Sequence, residues 1–184
     1  MMLLKRIVIL SLFIFNIGSS YGQKISLGAG VYSIDAKVGN SKTNVSNAGA
    51  YRIQYHSKIH DQFELLLGYN IIMENIYTGD KAFGPFIGFS YYPFGSKTVS
   101  QANISNLSIL NIKQFNPYLY AGFNQRQYQS VKAAYSGFSF GSGVEIGWSK
   151  EIAFFGDIQY ASLDGPNEGE ATELVAITGI MYNY

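Results

Sequence analysis

The chain ends in the stretch Leu174-Val-Ala-Ile-Thr-Gly-Ile-Met-Tyr-Asn-Tyr184, which alternates in the manner of a β-strand. Successive side chains of a strand point to opposite faces, so every second residue counted back from Tyr184 shares one face. That face carries Tyr184, Tyr182, Ile180, Thr178, Ala176 and Leu174. A tilted strand of about 9–11 residues crosses a bilayer. An ordinary edge strand at the end of a chain has the same pattern, so the rest of the sequence decides between the two readings.

Seven further segments have the same period of two. They span 24–34, 48–57, 62–73, 82–94, 115–126, 137–148 and 152–162. In the clearest, 137–148, Phe138, Phe140, Val144, Ile146 and Trp148 alternate with glycines, serines and Glu145. Apolar faces of this kind suit lipid, whereas faces rich in Gly and Ser and poor in charge suit a narrow lumen.

A soluble β-sandwich also alternates, with its apolar faces turned inward. Two features favour a membrane barrel instead: the low charge of the non-apolar faces and the position of the aromatic residues. Tyrosine and tryptophan favour membrane–water interfaces, where the ring is buried and the polar tip stays wet. Aromatic residues near the strand ends predict such a girdle at Tyr69, Tyr91, Trp148 and Tyr160.

The N-terminal 22 residues have the layout of a secretory signal peptide. Lys5 and Arg6 precede an apolar run over 7–17, and Ser20-Tyr21-Gly22 offers small residues at a cleavage site. The run is too short for a spanning helix of about 20 residues; an uncleaved interfacial anchor is the alternative. We therefore expect cleavage after Gly22, with a signal peptide over 1–22 and one barrel domain over 23–184.

Composition excludes several function classes. The 13 basic residues fall to 11 once Lys5 and Arg6 leave, against 12 acidic residues, so the mature chain has a net charge of −1 and no basic surplus for nucleic acid. The absence of cysteine excludes disulfides and thiolate chemistry. With two histidines and no cysteine, only an oxygen-ligand metal site is conceivable. No cofactor motif is present, because the Gly-x-Gly patterns lie inside predicted strands.

Eight segments predict an all-β fold, an eight-stranded antiparallel up-and-down transmembrane β-barrel that follows the signal peptide. An even strand number places both termini on the periplasmic side. Longer extracellular loops are then expected at 35–47, 74–81, 127–136 and 163–173, and periplasmic turns at 58–61, 95–114 and 149–151. Segment 95–114 is too apolar for a plain loop. It would extend its two neighbouring strands, form a short amphipathic helix through Ile104, Leu107 and Leu110 or Ile112, or add a ninth strand.

This pattern resembles the small OmpA/OmpX-like outer-membrane barrels, and the signal peptide with Gln23 after it resembles those of Bacteroidetes-type bacteria. The resemblance implies the outer membrane of a Gram-negative cell as the location, with outer-membrane lipid and lipopolysaccharide as surroundings and a monomeric state. It also implies that the barrel-assembly machinery reads the C-terminal strand, through Ile180, Tyr182 and Tyr184.

A barrel of eight strands is just wide enough for its own side chains. The predicted lumen-facing charges are Arg52, Glu64, Arg126, Glu145 and Asp157. Charges in so poorly hydrated an interior must pair, which predicts a polar network that fills the lumen. The predicted role is therefore structural or one of surface interaction. A narrow path for ions or very small solutes, gated by the same pairs, is the alternative.

Catalysis is the third reading. Some barrels that resemble this chain modify lipids with His and Ser, but their deacylase signature places the two residues two apart, before Asn and near an acid. Here His56 and Ser57 are adjacent and Lys58 follows, which is a weak triad signal. We therefore expect no enzymatic activity. Asp164, Glu168, Glu170 and Glu173 are expected in an acidic, solvated loop without the spacing of a calcium loop. The long periplasmic segment also leaves open an accessory role in a secretion or assembly machine.

Overall fold

The computed structural model describes residues 23–38, 41–73, 81–96, 99–104, 107–112, 115–129, 133–166 and 168–184. The expected signal peptide and its cleavage site after Gly22 lie outside these residues. Over the described ranges, no helix has the length and apolar character needed to cross a membrane.

Eight antiparallel strands close into one barrel. Their bounds are Gln23–Val38 (β1), Ser41–His60 (β2), Phe63–Met73 (β3), Lys81–Tyr91 (β4), Asn116–Tyr128 (β7), Ala133–Gly147 (β8), Ile152–Asp164 (β9) and Glu170–Asn183 (β10). Around the barrel they follow the order β1-β10-β9-β8-β7-β4-β3-β2. The predicted eight-stranded barrel is confirmed.

The barrel closes between its first and last strands. Their register runs from Lys24 opposite Asn183 to Lys37 opposite Glu170. Gln23 and Tyr184 exchange backbone hydrogen bonds beyond it, with N···O distances of 3.4 and 3.0 Å. Every barrel strand therefore has two partners, and the wall has no exposed edge. We call the end at which Gln23 and Tyr184 lie the terminal end, and the other the opposite end.

Several strands are longer than the sequence predicts. β1 and β2 extend to Val38 and from Ser41 into the expected loop 35–47. β9 and β10 likewise extend to Asp164 and from Glu170 into the expected loop 163–173. The physical reason is that a hairpin continues its backbone ladder beyond the apolar belt, where its side chains no longer reveal a lipid face. The expected turns 58–61 and 149–151 lie close to the observed connections after His60 and after Gly147.

Segment 95–114 differs from each form considered for it. It contains two short strands, Val99–Ile104 (β5) and Leu107–Ile112 (β6), which pair with each other in a separate two-stranded sheet. The hairpin therefore adds two strands to the chain and none to the barrel, which keeps its even number.

The outer wall carries an apolar belt. Its side chains are exposed although they are large and apolar, with Phe138 76%, Phe140 62% and Leu27 57% exposed. On β9 the outward residues are apolar or glycine from Ile152 to Tyr160 and turn polar at Ser162. This length is nine residues, about 30 Å at about 3.4 Å per residue, which suits a tilted transmembrane strand.

The four predicted girdle residues all lie on this outer face. Tyr91 and Trp148 lie at the terminal end of the barrel, where β4 and β8 end. Tyr160 lies at the opposite margin of the belt. Tyr69 lies within the belt, because the outward face of β3 continues through Ile71 to Met73.

Candidate functional site in the barrel interior

The interior of the barrel is filled with side chains. Strand alternation turns one side of each strand inward, and eight strands leave room for little else. The structure places all five predicted lumen charges there, each at most 6% exposed. They lie in three clusters at successive levels along the barrel axis, and each cluster includes residues that the sequence did not single out.

The central cluster is built on an Arg52–Asp157 ion pair. Arg52 Nη1 lies 3.1 Å and 3.0 Å from the two carboxylate oxygens of Asp157. The guanidinium also donates to Gln159 Oε1 at 2.7 Å and to Asn70 Oδ1 at 3.0 Å. Tyr120 donates to Asp157 at 2.9 Å. These groups come from four different strands, so the cluster cross-links the barrel through its centre.

The opposite-end cluster pairs Arg126 with Glu173. Arg126 Nε lies 3.3 Å from Glu173 Oε2, and the hydroxyls of Tyr32 and Tyr128 donate to Glu173 Oε1 at 2.9 and 2.7 Å. The expectation that Glu173 lies in a solvated acidic loop is wrong, because β10 begins at Glu170 and alternation turns Glu173 inward, where it is 0% exposed.

The other residues of that predicted acidic loop, Asp164, Glu168 and Glu170, are exposed. Among the described residues, no three His, Asp or Glu side chains come close enough together to hold a metal ion.

The terminal-end cluster is built on Lys24. Its ammonium lies 3.0 Å from Glu64 Oε1 and 3.2 Å from Glu145 Oε2. It also donates to the backbone oxygen of Ser96 at 3.0 Å. Tyr92, which is 0% exposed, donates from its hydroxyl to Glu145. Lys24 is not among the predicted lumen charges, although the alternation of the first segment places it on the inward face with Ser26.

A short strap formed by residues 92–96 covers this cluster. Its backbone is tied to the turn between β2 and β3, where Tyr92 N donates to Gln62 O at 2.8 Å and Ser96 N donates to Asp61 O at 2.6 Å. Gly95 has a φ of 83°, a conformation that favours glycine, and its carbonyl accepts from Asn116 at 3.1 Å. The strap thus closes the terminal end of the lumen.

His56 takes part in the terminal-end cluster, where the serine that contacts its ring is Ser26 and not the adjacent Ser57. Ser26 Oγ lies 3.0 Å from His56 Nε2, and Glu64 Oε2 lies 3.3 Å from His56 Nδ1. The pair His56–Ser57 is therefore not the relevant one. The register places Lys24 opposite His56 and Leu66 opposite His56 on its two neighbouring strands, which brings Ser26 and Glu64 to the ring from either side. No local sequence signal shows this arrangement.

Solved barrel structures are similar to this chain, whereas its sequence alone matches none of the proteins compared. No family profile and no curated protein matches the sequence. Neisserial surface protein A (NspA) matches with a TM-score of 0.57 at 13% identity, covering 88% of this chain and 97% of that one. The outer membrane protease OmpT from Escherichia coli matches with a TM-score of 0.52 at 8% identity, covering 89% and 97%.

The match to OmpT corrects one expectation. A barrel similar to this one is a protease, so the architecture gives no ground for the expectation that the chain lacks enzymatic activity. At 8% identity the likeness concerns the fold and says nothing of the chemistry of this chain.

The two likenesses concern the fold. The assignment to a Bacteroidetes-type protein stays a prediction. The chain has the fold of the small outer-membrane β-barrels.

Proposed function

We propose that this protein is an integral outer-membrane barrel with a filled lumen and a structural or surface-interaction role. One observation carries the proposal: the barrel is apolar outside and ionic inside. Ile158 on the outer wall is 56% exposed, whereas its chain neighbours Asp157 and Gln159 are buried and hydrogen-bonded to Arg52. Only a lipid surrounding makes that distribution favourable over the whole wall.

The location and partners follow from the same proposal. Export through the predicted signal peptide would deliver the chain to the outer membrane, where lipid and lipopolysaccharide surround the belt. The assembly signal would be the outward face of β10 together with the terminal residue that follows it, where Ile180, Tyr182 and Tyr184 are each at least half exposed. These side chains are available to an assembly machine while the inward side of the same strand packs into the lumen.

The packed lumen favours a structural role over a pore. The strap closes the terminal end, and an apolar core that includes Tyr32, Ile34, Tyr135 and Leu163 fills the opposite end. Two parts of the chain outside the apolar belt would then be available to contact other molecules. One is the ribbon of β1 and β2 beyond the belt, and the other is the β5–β6 hairpin.

Single-cysteine labelling tests the membrane orientation directly, because the chain has no cysteine of its own. Ile158→Cys and Asp164→Cys lie on the outward face of the same strand, inside the belt and beyond Tyr160. In intact outer membranes, a water-soluble maleimide should label position 164 and leave position 158 unlabelled until the membrane is dissolved. Equal labelling at both positions, with the protein in the soluble fraction, would overturn the proposal.

Heat-modifiability and bilayer conductance complete the test. The unboiled barrel should migrate differently from the boiled chain on a gel, and the wild-type protein should give no steady conductance in a planar bilayer. Steady single-channel steps would contradict the filled lumen and support the alternative, a narrow pore.

A further inference from the structure

We propose that Ser26, His56 and Glu64 form a hydrolytic site for short, uncharged carboxylic esters inside the terminal end of the barrel. The geometry has the two contacts that a serine nucleophile needs. The Ser26 hydroxyl lies 3.0 Å from His56 Nε2, and a Glu64 oxygen lies 3.3 Å from His56 Nδ1. A nucleophile, a base and an acid that orients the base, in this order, define a triad by geometry and not by position in the sequence.

The contacts of Glu64 fix the roles of the two ring nitrogens. Glu64 is a carboxylate beside the ammonium of Lys24, at 3.0 Å, and so accepts hydrogen bonds. His56 must therefore donate to it from Nδ1, which leaves Nε2 of the neutral ring as an acceptor. Nε2 can then accept the Ser26 hydroxyl proton at 3.0 Å, and the other acceptor of this hydroxyl, the Gln54 backbone oxygen, lies farther away at 3.5 Å.

An unpaired donor lies next to the nucleophile. Gln54 is directly opposite Ser26 in the β1–β2 register, and its side chain is buried. Its amide nitrogen Nε2 has no hydrogen-bond partner among the described residues. A buried amide without a partner costs free energy and therefore calls for an explanation. A donor in this position would stabilise an oxyanion formed at Ser26.

The reaction is balanced by these groups and water. Ser26 Oγ attacks the ester carbonyl carbon while His56 Nε2 takes the hydroxyl proton. The carbon–oxygen bond to the alcohol then breaks, and the alcohol leaves with that proton. Water attacks the acyl–Ser26 ester, His56 takes one proton from the water and returns it to Ser26 Oγ, and the carboxylic acid leaves.

The surroundings set the class of substrate and the route to the site. Ser26 is 2% exposed, and the strap of residues 92–96 with Tyr92 lies between the cluster and the terminal end. Access therefore requires displacement of the strap, and the narrow lumen admits only a short chain. Two carboxylates, Glu64 and Glu145, face one ammonium in the cluster, which disfavours an anionic substrate.

A fluorophosphonate probe tests the site, because it modifies serines that a base activates. The folded full-length mature barrel is treated in detergent micelles, and the modified residue is located by peptide mass spectrometry. We expect modification at Ser26. Tyr92→Ala, which weakens the strap, should increase the rate of modification at least about tenfold. His56→Gln should lower it about 10²-fold or more, in keeping with the contribution of a general base.

Matched variants separate catalysis from folding. Ser139→Ala removes a buried lumen serine that accepts from Gln159 at 2.8 Å and should leave the probe rate unchanged. Glu64→Gln should slow modification and Glu64→Asp should restore part of the rate, which a space-filling role does not explain. Each variant is first shown to be folded by its gel mobility. Absence of modification at Ser26 in both the wild type and folded Tyr92→Ala, or an unchanged rate in His56→Gln, would overturn the proposal.

Discussion

Tyr120 lies directly over Gly141 of the neighbouring strand. The two residues are opposite each other in the register of β7 and β8, and a methyl group built on Gly141 would be 2.5 Å from Tyr120 Cζ. Glycine therefore lets the ring lie against the backbone, with its hydroxyl 2.9 Å from Asp157. The next pair along the same strands, Tyr118 and Gly143, repeats the arrangement.

Gly141→Ala should accordingly destabilise the barrel by about 1–3 kcal/mol, the usual cost of overpacking a filled interior. The added methyl group meets Tyr120 Cζ and the backbone oxygen of Ile158, each at 2.5 Å, and displacement of the ring loosens its hydrogen bond to Asp157. Gly156→Ala is the matched control, because a methyl group there meets nothing closer than 4.0 Å. The unfolding free energy of each variant is measured by urea unfolding in lipid vesicles, with gel mobility reporting the folded fraction. Equal stability of the two variants would show that the ring does not depend on the glycine.

Asp157→Asn should cost about 3–5 kcal/mol, since it leaves the buried Arg52 guanidinium without its countercharge. Adding Arg52→Gln should recover part of that loss, because no unpaired charge then remains inside. The same unfolding experiment, arranged as a double-mutant cycle, gives the coupling free energy. Strictly additive losses would contradict the pairing described here.

Glu173→Gln should also cost about 3–5 kcal/mol, because Arg126 then lies buried beside a neutral amide. Glu170→Gln, three residues earlier and exposed, should change the unfolding free energy by no more than about 0.5 kcal/mol. Measured together, the two variants test whether this part of the chain is a barrel strand or an acidic loop. A small effect at both positions would favour the loop.

Replacement of residues 99–112 by Gly-Ser-Gly should leave the barrel folded and its unfolding midpoint nearly unchanged. The β5–β6 hairpin forms its own sheet, and the strap that closes the lumen ends at Ser96, before the hairpin begins. Heat-modifiability and the urea midpoint check this. Tyr92→Ala serves as the contrast, since it removes a buried ring that contacts Glu145 and should lower the midpoint. Loss of the folded band after the replacement would show that the hairpin holds the wall together.

Alternation along each strand made the two faces of the wall predictable from the sequence. Phe138 and Glu145 illustrate this, since an odd number of steps between them is enough to place one in lipid and the other in the lumen. The partner of each inward charge was not predictable, because it depends on the register between strands. A β-bulge between Tyr32 and Ile34 shifts that register on the β1–β2 pair.

The strand ends and the triad geometry were likewise not predictable from the sequence. Beyond the belt, outward residues such as Asp35 and Lys37 are polar, so the sequence does not distinguish a hydrogen-bonded ribbon from a loop. Ser26 and His56 are 30 residues apart and come together only through the pairing of β1 with β2. Ser57, the neighbour of His56 in the sequence, gave only a weak triad signal and is not the serine that contacts the ring.

The pairing of β1 with β10 has a kinetic consequence. It joins the first and last strands of the barrel, so its contacts have nearly the largest sequence separation that the described chain allows. Forming such contacts costs the most loop-closure entropy and slows folding. Until β1 and β10 pair, each of them presents an open edge that can pair with another chain. An unclosed barrel is thus vulnerable to aggregation, and formation of this one pair removes both open edges.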